Sequence, residues 1–242
     1  EPETLARLLA DFAKVEGRKL LVHGGGRSAT KMAAQLGIET KMVDGRRITD
    51  EAMLEVVTMV YGGLVNKRIV AGLQAAGVNA VGLTGADMNV VLSHKRPVKT
   101  VDYGWVGDVE RVDADAIATL IDGGYCPVIV PLTHDGKGNM LNTNADTMAG
   151  EMAKAMADRY DTTLMFCFEK AGVLRDENDD NSVIAEITPE VYARLKADGI
   201  VSGGMIPKFD NAFACVEKGV SSVVITRADQ IADRTAGTHI RL

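Results

Sequence analysis

The sequence predicts an α/β protein built in three layers, with a mainly parallel central sheet between helices. Short β-branched runs alternate with amphipathic helical patterns along the whole chain, as they do in β–α units of parallel sheets. The chain has 242 residues, of which 46% are hydrophobic and 25% are charged, so it can bury a substantial core. No change in composition marks a linker. We therefore expect a single domain over 1–242 with two functional sides, approximately 1–140 and 141–242.

Each predicted element rests on the spacing of its apolar residues. A period near 3.6 indicates a helix, and a short apolar run bounded by Gly or Pro indicates a strand. Gly37 ends the second helix, and Thr49 or Asp50 can cap the third. The predicted helices span 5–13, 32–36, 49–73, 117–121 and 147–157, the strands span 19–23, 79–83, 89–92, 126–132, 163–168 and 221–226, and a hairpin crosses 98–112.

The long third helix is apolar on more than one side, from Met53 to Val65. Such a helix is covered on several sides, by the core and by a second subunit. A two-fold contact lets one patch serve both subunits. The pattern favours a homodimer joined through helix 49–64, and the alternative is a helix enclosed within a large monomer.

Composition and charge exclude several classes of protein. The net charge of −6 argues against nucleic acid as a partner. No apolar run approaches the roughly 18 residues of a membrane span, and no signal peptide is recognisable, so we expect a cytoplasmic protein. Cys126, Cys167 and Cys215 lie in apolar contexts, which predicts reduced, buried thiols. No His or Cys has the spacing of a metal site.

Two glycine-rich segments precede helices. His23-Gly24-Gly25-Gly26 follows a strand, and its bare backbone amides would let a phosphate approach closely. The alternative is an ordinary tight turn between a strand and a helix. The second segment runs from Gly203 to Lys208. A lysine near a helix start is unfavourable unless an anion shares the site, although a solvated surface lysine is the alternative.

A third polar segment, Asn142-Thr143-Asn144-Ala145-Asp146, lies between a strand and a helix. α/β proteins bind polar ligands at such junctions, because helix amides and strand ends converge there. The alternative is that Asn144 or Asp146 simply caps the helix.

These three segments occur in the order and at the spacing of the N-acetyl-L-glutamate kinases, which are members of the amino-acid kinase family. Further segments resemble the same family, namely Val43–Asp50, Asn66-Lys67, Gly104–Val109 and Gly237-Thr238. The resemblance implies the amino-acid kinase fold, homodimers that pair through the matching long helix, and transfer of the ATP γ-phosphoryl group to the γ-carboxylate of an N-acyl-L-glutamate in arginine biosynthesis.

The resemblance also implies roles for residues that bind the acid and the phosphoryl group. Gly24 and Gly25 would hold the phosphoryl group through their amides, as amides at a helix start can. Arg47 would bind the substrate carboxylate with its planar guanidinium. Asn142 would hydrogen-bond the acylated amino acid.

On the side of ATP, the resemblance implies two catalytic residues, Lys208 and Asp146. Lys208 would neutralise charge on the leaving side of ATP, and Asp146 would orient the catalytic lysines near the Mg²⁺ region. Lys208, Glu169 and Gly172 would bind ATP. No residue is assigned as a metal ligand.

The sequence departs from the family at two places. The family begins with a strand that carries Lys-x-Gly-Gly, whereas this chain begins at Glu1 in the following helix. We expect the natural protein to have a further N-terminal segment with that lysine. The family's Thr/Ser-Asp-Val-Pro-Gly-Val reads Phe168–Val173 here, with Glu169 at the position of Asp. The acidic run 176–181 lacks the glycine of a calcium loop and is interpreted as a solvated turn.

Two other functions stay open at this stage. One is a kinase of the same family for another acid, such as aspartate or carbamate, which Arg47 and Asn142 in their motifs disfavour. The other is a non-catalytic ligand-binding relative, favoured only if the lysine strand is absent from the natural protein. The acyl group, acetyl or a larger one such as succinyl, and feedback inhibition by arginine are also open.

Overall fold

Strands and helices alternate in the structure, a computed structural model that describes residues 2–43, 45–176, 178–203 and 205–242. The helices are α1 (Pro2–Lys14), α2 (Gly26–Gln35), α3 (Glu51–Val57), α4 (Asn66–Ala75), α5 (Ala114–Asp122), α6 (Ala145–Ala157), α7 (Pro189–Ala197) and α8 (Met205–Glu217). The strands are β1 (Leu21–Val22), β2 (Met42–Val43), β3 (Arg46–Arg47), β4 (Ala80–Leu83), β5 (Val91–Lys95), β6 (Gly107–Val112), β7 (Cys126–Ile129), β8 (Leu132–His134), β9 (Met140–Asn142), β10 (Thr163–Phe168), β11 (Glu186–Ile187), β12 (Ser222–Arg227) and β13 (Thr238–Ile240). The mixed α/β class with parallel strands is confirmed.

The chain divides into two compact units. The first unit, Gly17–Met148, holds the glycine turn after β1 and the polar segment before α6. The second unit combines Glu1–Glu16 with Ala149–Leu242, so α1 belongs with the C-terminal strands.

In the unit Gly17–Met148, parallel strands are arranged in the order β1-β7-β4. The middle strand β7 is buried along its whole length, since Cys126 to Ile129 meet neighbours on every side. A second sheet, in the order β6-β5-β8-β9, and the hairpin β2–β3 complete the unit. The core between them is apolar: Ala29, Ala33, Met53, Val56, Val57, Val60, Tyr61, Val130 and Leu132.

In the other unit, the sheet has the order β10-β12-β13-β11, with β10 and β12 parallel over six residue pairs. α8 places Phe209 and Phe213 in the core, where the Phe209 ring stacks on Tyr192 with centroids 5.0 Å apart. Aromatic pairs at this separation stabilise a core beyond their burial.

The predicted long helix exists as one continuous segment, Glu51–Ala75. Asp50 caps it, since the Asp50 Oδ1 accepts a hydrogen bond from the Met53 amide at 2.9 Å. Its middle, Thr58–Val65, is a π-helix. Among the described residues, this is the one helix that is long and apolar enough to cross a membrane by length and composition. The sequence predicted no membrane span, because no uninterrupted apolar run reaches the necessary length. Val56, Val57 and Val60 pack into the core, and a core helix passes the same test.

Two predictions from sequence are wrong in detail. A hairpin was predicted across 98–112, but β6 pairs in antiparallel register with β5, and residues 96–106 connect the two strands. Gly104 instead approaches the backbone of Thr49. Cys126 and Cys215 are buried as predicted, but Cys167 is exposed, because it lies on the outer side of β10.

Candidate active site

The glycine turn joins β1 to α2. Its geometry requires glycine at position 25, because a Cβ there would lie 2.5 Å from Cδ1 of the Tyr61 ring. Within the described residues, the amides of Gly24 and Gly25 donate no hydrogen bond to the protein. Two amides at a helix start are therefore free to bind an anion.

Arg47 of β3 lies beside this turn. Its Nη2 donates hydrogen bonds to the carbonyl oxygen of Gly26 at 3.0 Å and to the Thr30 hydroxyl at 2.9 Å. Its Nη1 donates to the Thr40 hydroxyl at 3.3 Å. These contacts hold the guanidinium at the edge of the glycine turn, where it can bind a carboxylate.

Tyr61 lies beside both the glycine turn and Arg47. Its ring packs against Gly25, and its hydroxyl lies near the Arg47 guanidinium. Burial raises the pKa of Tyr61, while the nearby positive charge of Arg47 acts in the opposite direction. Sequence reasoning missed Tyr61, although a tyrosine before Gly62-Gly63 in an apolar helix is an unusual feature.

Asn142 ends β9 and is buried. Its Nδ2 donates a hydrogen bond to the hydroxyl of Thr49 at 3.0 Å, and its backbone amide donates to the carbonyl oxygen of Trp105 at 2.9 Å. Thr49 has no exposed surface. Among the described residues no donor reaches Asn142 Oδ1, so this oxygen can accept a hydrogen bond from a ligand.

The polar segment after Asn142 has two separate roles. Asn144 Oδ1 accepts hydrogen bonds from the amide of Thr147 at 2.9 Å and from its hydroxyl at 3.3 Å, so the capping interpretation is confirmed for Asn144. Asp146 is half-buried in the first turn of α6. A Cβ on Gly24 would lie 3.8 Å from Cβ of Ala145. The start of α6 therefore lies against the glycine turn.

These contacts bring most of the predicted site together within one unit. The unit Gly17–Met148 holds Gly24, Gly25, Arg47, Asn142 and Asp146. Arg47 contacts the glycine turn, and the start of α6 contacts Gly24. Asn142 contacts Thr49, which lies two residues after Arg47.

The remaining predicted residues lie in the other unit. Lys208 Nζ lies 4.5 Å from the ring centroid of Phe168, the last residue of β10. A cation over an aromatic face is stabilised by roughly 0.5–2 kcal/mol. Glu169 follows Phe168 and is exposed. Lys208, Phe168 and Glu169 thus lie at the carboxyl end of β10.

Gly172 packs closely against the end of the chain. A Cβ at Gly172 would lie 2.8 Å from the Thr238 hydroxyl, which also accepts a hydrogen bond from the amide of Val173 at 2.8 Å. This contact joins the segments Phe168–Val173 and Gly237-Thr238, which the sequence analysis compared with segments of the same family. Gly204 and Asp44, which belong to other matched segments, lie outside the described residues.

The described residues contain no group of three or more His, Cys, Asp or Glu that could hold a metal ion. In the acidic run, Asp176 Oδ1 accepts a hydrogen bond from the amide of Asn178 at 3.0 Å, and Asp179 Oδ1 accepts one from the amide of Asn181 at 2.9 Å. Carboxylates that accept backbone amides in this way are typical of a turn.

The fold and this site define the class of protein. The family model described as the amino acid kinase family matches residues 2–227, and the chain belongs to that family. An acetylglutamate kinase from Phocaeicola vulgatus is 68% identical over 241 residues, which cover 100% of this chain and 93% of that protein. The family resemblance drawn from the sequence is confirmed.

Solved structures agree on the fold. An N-acetylglutamate synthase from Neisseria gonorrhoeae, complexed with coenzyme A and N-acetyl-glutamate, aligns with a TM-score of 0.82 at 22% identity. The alignment covers 100% of this chain and 57% of that one. A carbamate kinase from Giardia lamblia, bound to AMP-PNP, aligns with a TM-score of 0.70 at 16% identity, covering 99% and 88% of the two chains.

Proposed function

We propose that this protein transfers the γ-phosphoryl group of ATP to the γ-carboxylate of N-acetyl-L-glutamate, a step of arginine biosynthesis in the cytoplasm. The relative with 68% identity supports the reaction. The observation that carries the proposal is the contact of Arg47 with the glycine turn, at 3.0 Å from the Gly26 carbonyl oxygen. It places a carboxylate-binding group beside amides that can bind a phosphoryl group.

On the side of the acid, Arg47 binds a carboxylate and Asn142 binds the acylated amine. Asn142 Nδ2 donates one of its two hydrogens to Thr49, which orients the side-chain amide, and Oδ1 accepts a hydrogen bond from the N–H of the substrate amide. An N-acylated substrate supplies one N–H donor there, whereas a free amino acid would bring a positive charge.

Around the phosphoryl group, the chemistry is positioning and neutralisation of charge. The Gly24 and Gly25 amides bind oxygens of the group in transfer. Asp146 and Lys208 are the catalytic charged residues, and Lys208 stabilises negative charge that develops on the leaving side of ATP. Lys208, Glu169 and Gly172 bind ATP, so the unit that holds them is the nucleotide side.

Mg²⁺ accompanies ATP in this proposal. At sites that bind ATP, Mg²⁺ takes most of its ligands from phosphates and water, with one or two carboxylates from the protein. Asp146, in the first turn of α6, is the carboxylate that would face it. When bound with ATP, Mg²⁺ neutralises charge on the phosphate oxygens.

The reaction is tested by measuring ADP release in a coupled assay with the natural full-length protein, ATP and Mg²⁺. We expect turnover with N-acetyl-L-glutamate. N-succinyl-L-glutamate tests the acyl group, and L-aspartate is the control acid. Absence of turnover with both N-acylglutamates would refute the proposal.

We also propose that the protein is a homodimer joined through helix 49–64. Met59 supports it, because this large apolar side chain is 55% exposed in the middle of the helix. Leu54 and Val65 are only partly buried against the core. An equivalent helix from a second copy would cover them.

A further inference from the structure

A histidine lies buried directly beneath the glycine turn. His23 is 9% exposed, and each of its ring nitrogens meets one polar group. Nδ1 lies 2.7 Å from the carbonyl oxygen of Gly24, and Nε2 lies 3.1 Å from Nδ2 of Asn66. The imidazole therefore connects the glycine turn to the first residue of α4.

The partners of the two nitrogens determine which one carries the proton. The Gly24 carbonyl oxygen can only accept, so Nδ1 must donate. The orientation of the Asn66 amide is set by its other contacts, because its Nδ2 donates to the Val128 carbonyl oxygen at 3.0 Å and its Oδ1 accepts from Lys67 Nζ at 3.0 Å. Since Nδ2 can only donate, Nε2 of the histidine must accept.

The environment keeps this ring neutral. Burial is the main cause that lowers the pKa of His23, and the nearby Lys67 ammonium acts in the same direction, against the opposing hydrogen bond to Gly24. A second proton would have to be placed on Nε2, where it would face the N–H groups of Asn66.

The side chain of Asn66 is fully buried in the core. It has no exposed surface, and a Cβ on Gly82 of β4 would collide with its Oδ1. Burial of an amide without partners would cost about 1–3 kcal/mol, but each polar atom of the Asn66 side chain has at least one partner. The polar chain Lys67–Asn66–His23 is thus a satisfied network within an otherwise apolar region.

The peptide group between Gly24 and Gly25 connects His23 to the amide that is proposed to bind the phosphoryl group. The described chain has no cis peptide bond, and in a trans peptide the C=O of Gly24 and the N–H of Gly25 point in opposite directions. Because the C=O points inward to His23, the N–H points away from the histidine. The geometry points to His23, held by Asn66, as a positioning residue that directs the Gly25 amide at the phosphoryl group in transfer. This inference rests on the proposed function, in which that amide binds the phosphoryl group.

Two substitutions at His23 separate the positioning role from packing. His23→Asn keeps an N–H donor at the position of Nδ1, whereas His23→Leu removes it at similar bulk. Removal of a donor to a developing charge lowers kcat by about 10²–10³-fold, so a misdirected amide should cost at least roughly tenfold. We expect His23→Leu to lower kcat by that amount with the KM for N-acetyl-L-glutamate within about threefold, and His23→Asn to recover most of it.

His94→Leu is the matched control, since His94 is exposed and bonded to Glu110 in the same unit. Circular dichroism and the unfolding midpoint show whether each variant folds. Equal kcat values for His23→Leu and the unmodified protein would overturn the inference and leave the proposed function intact. If the unmodified protein showed no turnover at all, the proposed function would be refuted instead.

The tautomer gives a test that needs no activity and no variant that folds poorly. Long-range ¹H–¹⁵N correlation spectra of the unmodified protein at pH 7.5 distinguish a protonated from an unprotonated ring nitrogen. The chain has four histidines, so the spectrum can be assigned with single substitutions at the other three. We expect His23 to carry its proton on Nδ1. A proton on Nε2, or on both nitrogens, would overturn the inference.

Discussion

At the scale of residues, the site depends on backbone groups as much as on side chains. The Gly26 carbonyl oxygen holds Arg47, the Gly24 carbonyl oxygen holds His23, and the amides of Gly24 and Gly25 remain available to a ligand. Backbone groups are already oriented when the ligand arrives, so binding charge costs little reorganisation. Position 25 requires glycine, because a Cβ there would collide with the Tyr61 ring.

Arg47 and Lys208 should differ in their kinetic effects. We expect Arg47→Ala chiefly to raise the KM for the acid, because Arg47 holds the carboxylate in the ground state. Lys208→Ala should chiefly lower kcat, by about 10²–10³-fold or 2.7–4 kcal/mol, because its charge matters most in the transition state. Steady-state kinetics with N-acetyl-L-glutamate and ATP measures both effects.

The chain offers matched controls for these two substitutions. Arg46 precedes Arg47 in the same strand and is exposed, and Lys218 follows α8 and is exposed. Arg46→Ala and Lys218→Ala should leave both constants nearly unchanged. If Arg47→Ala and Lys208→Ala gave the same kinetic pattern, the proposed division of roles would be wrong.

His23 should make the stability of the protein depend on pH. Its pKa in the folded protein is below the ordinary value of 6.5, so the unfolded chain binds the proton more readily. The free energy of unfolding should therefore be unaffected well above pH 6.5 and should fall as the pH drops through that value. Urea unfolding at pH 7.5 and pH 5.5 measures the difference.

His23→Asn should reduce this difference between the two pH values, even if it lowers stability at both. His94→Asn should keep the difference close to that of the unmodified protein, because His94 is exposed. Equal differences in the unmodified protein and in His23→Asn would show that other groups cause the pH dependence.

At the scale of elements, the long helix Glu51–Ala75 supplies two side chains that pack against the glycine turn. Its π-helical middle presents Tyr61 to the glycine turn, and the first residue of α4 presents Asn66 to His23. π-helical turns widen a helix locally and often occur at functional sites. Here the π-helical segment changes the helix register between Tyr61 and Asn66, which contact Gly25 and His23 of the same turn.

Gly82→Ala tests how tightly β4 and this helix fit together. The added methyl group would collide with Asn66 Oδ1, and forcing extra volume into a packed core typically costs about 1–3 kcal/mol. Gly62→Ala is the control, because its methyl group would meet Leu132 Cδ1 at an ordinary 3.6 Å. Urea unfolding should show a clear loss of stability for Gly82→Ala and a smaller change for Gly62→Ala; the reverse order would contradict the packing described here.

At the scale of the whole molecule, the proposed homodimer depends on one face of the long helix. Burial distinguishes two neighbouring positions: Met59 is 55% exposed, whereas Val60 is 1% exposed and packs in the core. A charge at Val60 would therefore unfold the subunit, and only Met59 can probe an interface. The apolar pattern of the sequence does not distinguish these two positions.

Met59→Glu should shift a dimer toward folded monomers, because an interface cannot bury an unpaired carboxylate without a large cost. Light scattering at micromolar concentration measures the mass, and circular dichroism confirms folding. Met42→Glu is the control, since Met42 is 51% exposed on the hairpin β2–β3. A folded monomer in the unmodified protein would rule the dimer out.

The sequence by itself determined the features that depend on a few neighbouring residues. The glycine turn after β1, the cap at Asp50 and the alternation of strands and helices follow from local conformational preferences, and the structure confirms them. The position of Lys208 near a helix start indicated an anion, and the family resemblance indicated Arg47 and Asn142, before any contact was known. Local patterns were weaker at residues 98–106, which were predicted as part of a hairpin but connect β5 to β6.

Only the tertiary structure decided which of these residues meet. Asn142 bonds to Thr49 across 93 positions of sequence, and His23 bonds to Asn66 across 43. No periodicity encodes such pairs, because they depend on how sheets and helices pack within a unit. A buried polar side chain must find a partner wherever packing places one, since leaving it unpaired would cost about 1–3 kcal/mol. The partners that position the site, Thr49, Tyr61 and Asn66, therefore became visible only in three dimensions.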